Sequence, residues 1–191
     1  MEAILIVLAA ILADNLLLSR LFGVESFFTA TEKPSGAALY GGLVTCVCVL
    51  SGTTVILLHK FVLEPLKLQY FVTFVSVVVI TAFICAIRLI SSKASGKEHN
   101  AVAFALPVIS GNCIVLGSIL ICIENSFSIL MSVLFLLAAG VGFTFVMLVF
   151  SSIQKRLENS DMADSFRGIP ILLISCAIAA MAFSGFYGLS F

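Results

Sequence analysis

Residues 3–23 read AILIVLAAILADNLLLSRLFG, and residues 101–122 read AVAFALPVISGNCIVLGSILIC. Each is long and apolar enough to cross a lipid bilayer, which takes about 20 residues in a helix. Each also carries polar or helix-weakening residues at membrane depth. The first has Asp14, Asn15, Ser19, Arg20 and Gly23; the second has Pro107, Ser110, Gly111, Asn112 and Gly117. Irregular backbone in lipid is tolerated only where protein or a cavity satisfies its polar groups. Both helices are therefore expected to be interrupted or tilted and to meet near the centre of the molecule.

The two stretches also match each other. Asn15 aligns with Asn112 and Leu18 with Val115, both at an offset of 97 residues. Further apolar runs lie at roughly 36–58, 69–90, 127–150 and 169–189, which makes six spans. The offset carries spans one to three onto spans four to six. The expected architecture is an all-α integral membrane protein, with repeat one about 1–92 and repeat two about 98–191. A unit of three spans ends on the opposite side from where it starts, so the second unit is inverted, the plan common in transporters.

Composition agrees. The chain has 191 residues, of which 61% are hydrophobic and 10% charged. A soluble domain carries about a quarter charged residues. Formal net charge is zero, so overall charge suggests no nucleic-acid partner. A signal peptide is the competing reading of the N-terminus. Its flank is Met1-Glu2, with no basic segment and no clean small-residue cleavage site, so the first helix is expected to be retained.

Charge falls in the links, and its sign sets orientation. Arg20, Lys33, Arg88, Lys93, Lys97, Lys155, Arg156 and Arg167 lie in or beside the first, third and fifth links; that is eight of the 10 basic residues. The second link has Lys60 and Lys67, and the fourth has none. Basic residues stay on the cytoplasmic side. The odd links are expected to be cytoplasmic and both termini outside.

Few residues point to chemistry. An intramembrane carboxylate such as Asp14 is costly and suggests ion or proton passage; the plain alternative is a hydrogen bond to a facing helix. Cys113, inside SGNCIVLG, is a possible soft-metal or iron–sulfur ligand, although one cysteine cannot hold a cluster. The other cysteines are Cys46, Cys48, Cys85, Cys122 and Cys176, and none forms a CxxC or Cys/His pattern. Small buried apolar residues is the plain reading for most of them. Cys122 falls on a different helix face from Cys113, and Cys46 points away from Cys48. Glu25, just after Gly23, reads by itself as a solvated carboxylate at a helix end. The run LENSDMADSFRG (157–168) reads as an amphipathic cytoplasmic segment or a solvated loop. Ala138, Ala139, Gly140 and Gly142 suit close helix packing. There is no P-loop, dinucleotide fingerprint, HExxH or GxSxG. If the chain takes part in redox chemistry, other subunits must bring the electrons.

Three segments carry a family resemblance: MEAILIVLAAILADNLLLSRLFG at the start, ALPVISGNCIVLG in the middle, and FRGIPILLISCAIAAMAFSGFYGL at the end. They resemble the family of A-type subunits of the Rnf complex, an ion-translocating ferredoxin:NAD oxidoreductase. The E-type subunit of the sodium-pumping NADH:quinone reductase belongs to the same family. The resemblance implies a six-helix inverted repeat in the bacterial inner membrane. It implies pairing with a homologous partner of opposite topology (the E type in Rnf), together with Rnf subunits of types B, C, D and G. It implies a [2Fe–2S] cluster shared between the pair, with two cysteines from each, and electron flow coupled to Na⁺ or H⁺ transport. No activity is expected of the chain alone.

In that family one cysteine ligand lies in the NC motif, here Cys113. The other lies just after helix one, in a segment like FLGICPF. The corresponding stretch here is LFGVESFF. Glu25 stands where the cysteine is expected, and Ser26 stands where the proline is expected. Three readings follow: a cluster with mixed ligands from Cys113 and Glu25, a subunit that has lost the cluster, or a chain substituted at this position. Beyond them stand a stand-alone small-solute permease and a purely structural anchor for an assembly.

Overall fold

Apolar sequence in a membrane has to satisfy its backbone internally, and helices do so within one segment. The computed structural model describes residues 15–26, 34–92, 112–158 and 166–185, and these contain no strand. The helices are α1 (Leu16–Arg20), α2 (Pro34–Leu58), α3 (Val72–Ser92), α4 (Cys113–Glu124), α5 (Ile129–Glu158) and α6 (Ile169–Ser184). A single π turn, His59–Leu63, prolongs α2, and a 3₁₀ turn, Gln69–Phe71, leads into α3. Hydroxyls in these apolar helices close on carbonyls four residues back: Ser51 on Val47 at 2.6 Å, Ser76 on Val72 at 2.7 Å, and Ser118 on Ile114 at 2.6 Å. Each of these hydroxyls is thereby satisfied within its own helix.

Three segments are long and apolar enough to cross a membrane: Ser35–Leu63, Gln69–Ile90 and Ile129–Leu157. They match the second, third and fifth expected spans. The fifth differs at its end. The reading from sequence ended this span near residue 150, whereas α5 runs on through Glu158. That stretch has no Gly or Pro, and Lys155 and Arg156 in its last turn complement the negative helix end.

In the first and fourth expected spans the described residues begin at an asparagine outside helix. Asn15 has an extended backbone (φ −61°, ψ 113°), and so has Asn112 (φ −72°, ψ 111°), so neither span passes through its asparagine as one helix. After one turn α1 stops at Leu21, which adopts the left-handed region at φ 56°. α4 has 12 residues, about 18 Å at the α-helical rise, which is short of the bilayer core. Asp14 and most of the segment 157–168 lie outside the described residues.

α2 and α5 make the most extensive pairing, and their contacts have a local two-fold. A Cβ on Gly41 of α2 would lie 2.6 Å from Thr144 Oγ1 of α5; a Cβ on Gly140 of α5 would lie 2.7 Å from Thr45 Cγ2 of α2. Along α2 the partners on α5 fall in number as position rises, so the helices run antiparallel. Thr45 and Thr144 approach at 3.4 Å through their hydroxyls, 99 residues apart in sequence, and each also donates to its own glycine carbonyl four residues back at 2.8 Å. Glycine at both positions is what lets the two helices approach so closely. Ala138 and Ala139, read from sequence as packing residues, are buried here.

α4 completes the core, burying Ile114, Val115 and Ile119 against α2 and α5. The outer faces of α3 and α6 remain apolar and exposed, for example at Phe74, Val78, Leu173 and Ile178. In water such faces would be an aggregation liability; here they suit lipid.

Candidate functional site

The interrupted segments meet at the start of α4. Asn112 precedes that helix, and its Oδ1 accepts from Ile114 N at 3.0 Å, a standard cap on an otherwise unpaired donor. Asn15 does the same for α1, accepting from Leu17 N at 3.1 Å. The two asparagines paired at the 97-residue offset thus share one backbone conformation and one capping role. Both are buried.

The turn that follows α1 docks onto this helix start. The Phe22 ring covers Gly117, which has no side chain to obstruct it. Gly23, at φ +87°, lies against Asn112 and Phe143. The Glu25 carboxylate accepts from Cys113 N at 3.3 Å. Ser26 Oγ and Tyr40 OH share a hydrogen bond at 3.0 Å, and Asn112 Nδ2 donates to Ser26 Oγ at 3.1 Å and to Tyr40 OH at 3.2 Å. Asn112, Ser26 and Tyr40 form a closed, buried polar triangle, a form that satisfies polar groups where water is excluded.

Cys113 and Glu25, 88 positions apart, are brought together by this docking. Cys113 is exposed and Glu25 half-buried. Glu25, read from sequence as a solvated carboxylate at a helix end, is half-buried beyond the end of α1. It sits on the electropositive start of α4, where a carboxylate is stabilised by the free N–H groups. The other cysteines lie apart, and none of the six is in a disulfide. Cys48, Cys122 and Cys176 are buried, as small apolar residues would be, while Cys46 and Cys85 are exposed on helix surfaces. Cys46 and Cys48 differ in exposure, as do Cys113 and Cys122, in keeping with their different helix faces.

Among the described residues no group of three or more His, Cys, Asp or Glu gathers to hold a metal. Cys113 and Glu25 are a two-donor pair, one thiol and one carboxylate, at an outward-facing helix start. An iron–sulfur cluster takes four ligands, so this pair by itself is too few. It fits an iron–sulfur cluster only if a second chain completes the ligands. Tyr40 was not legible as a site residue, because a tyrosine within an apolar span gives no sign of its partner. Ser26 was visible only as a departure from the family pattern.

One consequence concerns Gly23. A Cβ there would meet Asn112 Oδ1 at 2.9 Å and Phe143 Cε2 at 3.0 Å, on a backbone disfavoured for other residues. G23A is expected to cost about 2–3 kcal/mol from left-handed strain and crowding together. Unfolding of the purified chain in mixed micelles measures it; a loss under about 0.5 kcal/mol would mean that the docked turn is not held as described.

Comparison with known proteins identifies the family. A family model described as "Rnf-Nqr subunit, membrane protein" matches residues 3–190. The chain is 32% identical over 189 residues to the A-type subunit of the Na⁺-translocating ferredoxin:NAD⁺ oxidoreductase complex of Acetobacterium woodii, covering 99% of this chain and 98% of that one. It is 33% identical to the A-type subunit of an ion-translocating oxidoreductase complex of Syntrophotalea carbinolica, over 97% of this chain and 96% of the relative. A Rhodobacter capsulatus protein of the same description is 32% identical, over 98% and 97%. With end-to-end matches to the family model and to these relatives, the chain belongs to the Rnf-Nqr family of membrane protein subunits.

Proposed function

We propose that this chain is the A-type membrane subunit of a redox-driven ion pump that couples electron transfer between ferredoxin and NAD to Na⁺ or H⁺ translocation. Kinship along the whole chain to subunits so described supports it. The observation that carries the site reading is the meeting of Cys113 and Glu25 at the start of α4. There Cys113 presents a thiol outward, Glu25 presents a carboxylate and caps the helix, and the Asn112–Ser26–Tyr40 triangle fixes both. A [2Fe–2S] cluster completed by a homologous E-type subunit would take Cys113 and Glu25 from this chain, and when bound it supplies one-electron transfer. Phe22 packs over Gly117 and Phe143 lies against Gly23, which seats the turn carrying Glu25 on α4.

The orientation reading places the chain in the inner membrane with its odd links in the cytoplasm and both termini outside. The antiparallel pairing supports it. The Pro34 end of α2, which follows the first link, shares a side with the Lys155–Arg156 end of α5. The inverted-repeat reading draws support from the same pairing and from the matched asparagine caps. A second reading, a cluster-less subunit of the same complex, is favoured by one observation: the Glu25 carboxylate already has a use as a helix cap.

The test is deletion of the gene and complementation with wild type, C113S, E25A and E25C, assayed in inverted membrane vesicles. Deletion is expected to abolish ferredoxin-to-NAD electron transfer and ion uptake together. C113S is expected to lower both by about tenfold or more, the scale on which a metal site responds to loss of support, and to remove a [2Fe–2S] EPR signal from the complex. E25C is expected to keep that signal. Undiminished electron transfer after deletion sinks the pump-subunit reading. An intact signal in C113S sinks the cluster reading and leaves the cluster-less one.

A further inference from the structure

Tyr40 lies one residue before Gly41, one of the close approaches of α2 to α5, and Phe143 lies one residue before Thr144, on the other side of that contact. The two rings pack at 6.2 Å between centroids with a 50° tilt. The Tyr40 hydroxyl then reaches two residues. Ser26 directly follows Glu25, and Asn112 directly precedes Cys113. One buried hydroxyl thus holds the chain neighbours of both candidate ligands, and its ring is clamped beside the helix crossing.

We propose that Tyr40 is a positioning residue, which transmits the geometry of the α2–α5 crossing through Ser26 and Asn112 to the Glu25–Cys113 pair. The inference rests on the reading of that pair as the functional site. Motion at the crossing, where glycines on both helices let threonine side chains of the other helix approach, reaches the pair by the Tyr40 hydroxyl as well as by the packing of Phe143 on Gly23. A tyrosine that merely filled space would act by its ring alone. Here the oxygen contributes as well.

Y40F separates the two, because it keeps the ring against Phe143 and removes the oxygen. The experiment follows alkylation by N-ethylmaleimide of the full-length, iron-free chain in micelles, read at each cysteine by mass spectrometry. Y40F is expected to change the rate at the already exposed Cys113 by up to about fivefold, the factor one net hydrogen bond of positioning is worth, and to leave Cys85, exposed on α3, at its wild-type rate. S26A is expected to move Cys113 in the same direction. An unchanged Cys113 rate in Y40F overturns the proposal. An equal change at Cys85 also overturns it, since the effect is then a general loosening. The rates are read without iron, so they stand apart from the cluster reading, which fails separately if the wild-type complex shows no iron signal. In a complex that does show one, Y40F is expected to alter its EPR line shape, and an identical spectrum counts against the proposal.

Discussion

Replacing Asn112 by alanine is expected to destabilise the chain by about 2–3 kcal/mol. The cap on α4 accounts for about 1 kcal/mol. The two bonds from Nδ2 add about 1 kcal/mol each, less what Ser26 and Tyr40 keep by bonding to one another. N112S divides the two contributions. Serine caps a helix well but is too short to bridge to Ser26 and Tyr40 as asparagine does. It is expected to recover about 1 kcal/mol and no more. Equilibrium unfolding in mixed micelles reads both variants. N112S indistinguishable from wild type would mean that the polar triangle contributes nothing; N112S as damaging as N112A would mean that the cap contributes nothing.

The α2–α5 crossing gives the other large effect, and its two halves are expected to respond differently. G41A places a Cβ 2.6, 2.7 and 2.9 Å from three atoms that all belong to the Thr144 side chain. G140A places one 2.7 Å from two Thr45 side-chain atoms and 2.9 Å from the Thr45 backbone Cα. Each single change is expected to cost about 2–3 kcal/mol through overpacking. Adding T144G to G41A clears the three nearest obstructions and leaves about 1 kcal/mol of helix-propensity cost. Adding T45G to G140A leaves the backbone contact, so little is recovered. A double-mutant cycle on each pair checks this. Equal recovery in both pairs would refute the asymmetry and imply that the helices slide apart freely at Gly140.

The membrane class, the helical architecture and the second, third and fifth spans were legible in the sequence, because hydropathy and span length are local properties that lipid enforces residue by residue. The breaks at Asn15 and Asn112 were legible for a related reason: polar and glycine residues inside an apolar run mark a place where a helix cannot continue unaided. Cys113 was legible as a possible ligand from its place in a broken apolar segment, whereas Glu25 became a candidate only through resemblance, as a departure from the family pattern. The run of α5 through Glu158 was missed because polarity marks where the lipid ends, not where the helix does.

Tertiary structure alone decided the rest. Nothing local indicates that Glu25 would reach the backbone of Cys113, that Asn112 would bond across to Ser26 and Tyr40, or that Gly41 and Gly140 would each face the other helix's threonine. These partners lie on separate segments of the chain, and a side chain's neighbours across a packed interface depend on how helices cross, not on what precedes and follows each residue. The sequence by itself determined that this chain lives in a membrane and where its helices must break; the crossing of α2 and α5 and the docking of the turn after α1 decided which residues meet, because close packing admits only the arrangement in which glycine, asparagine and carboxylate fit together.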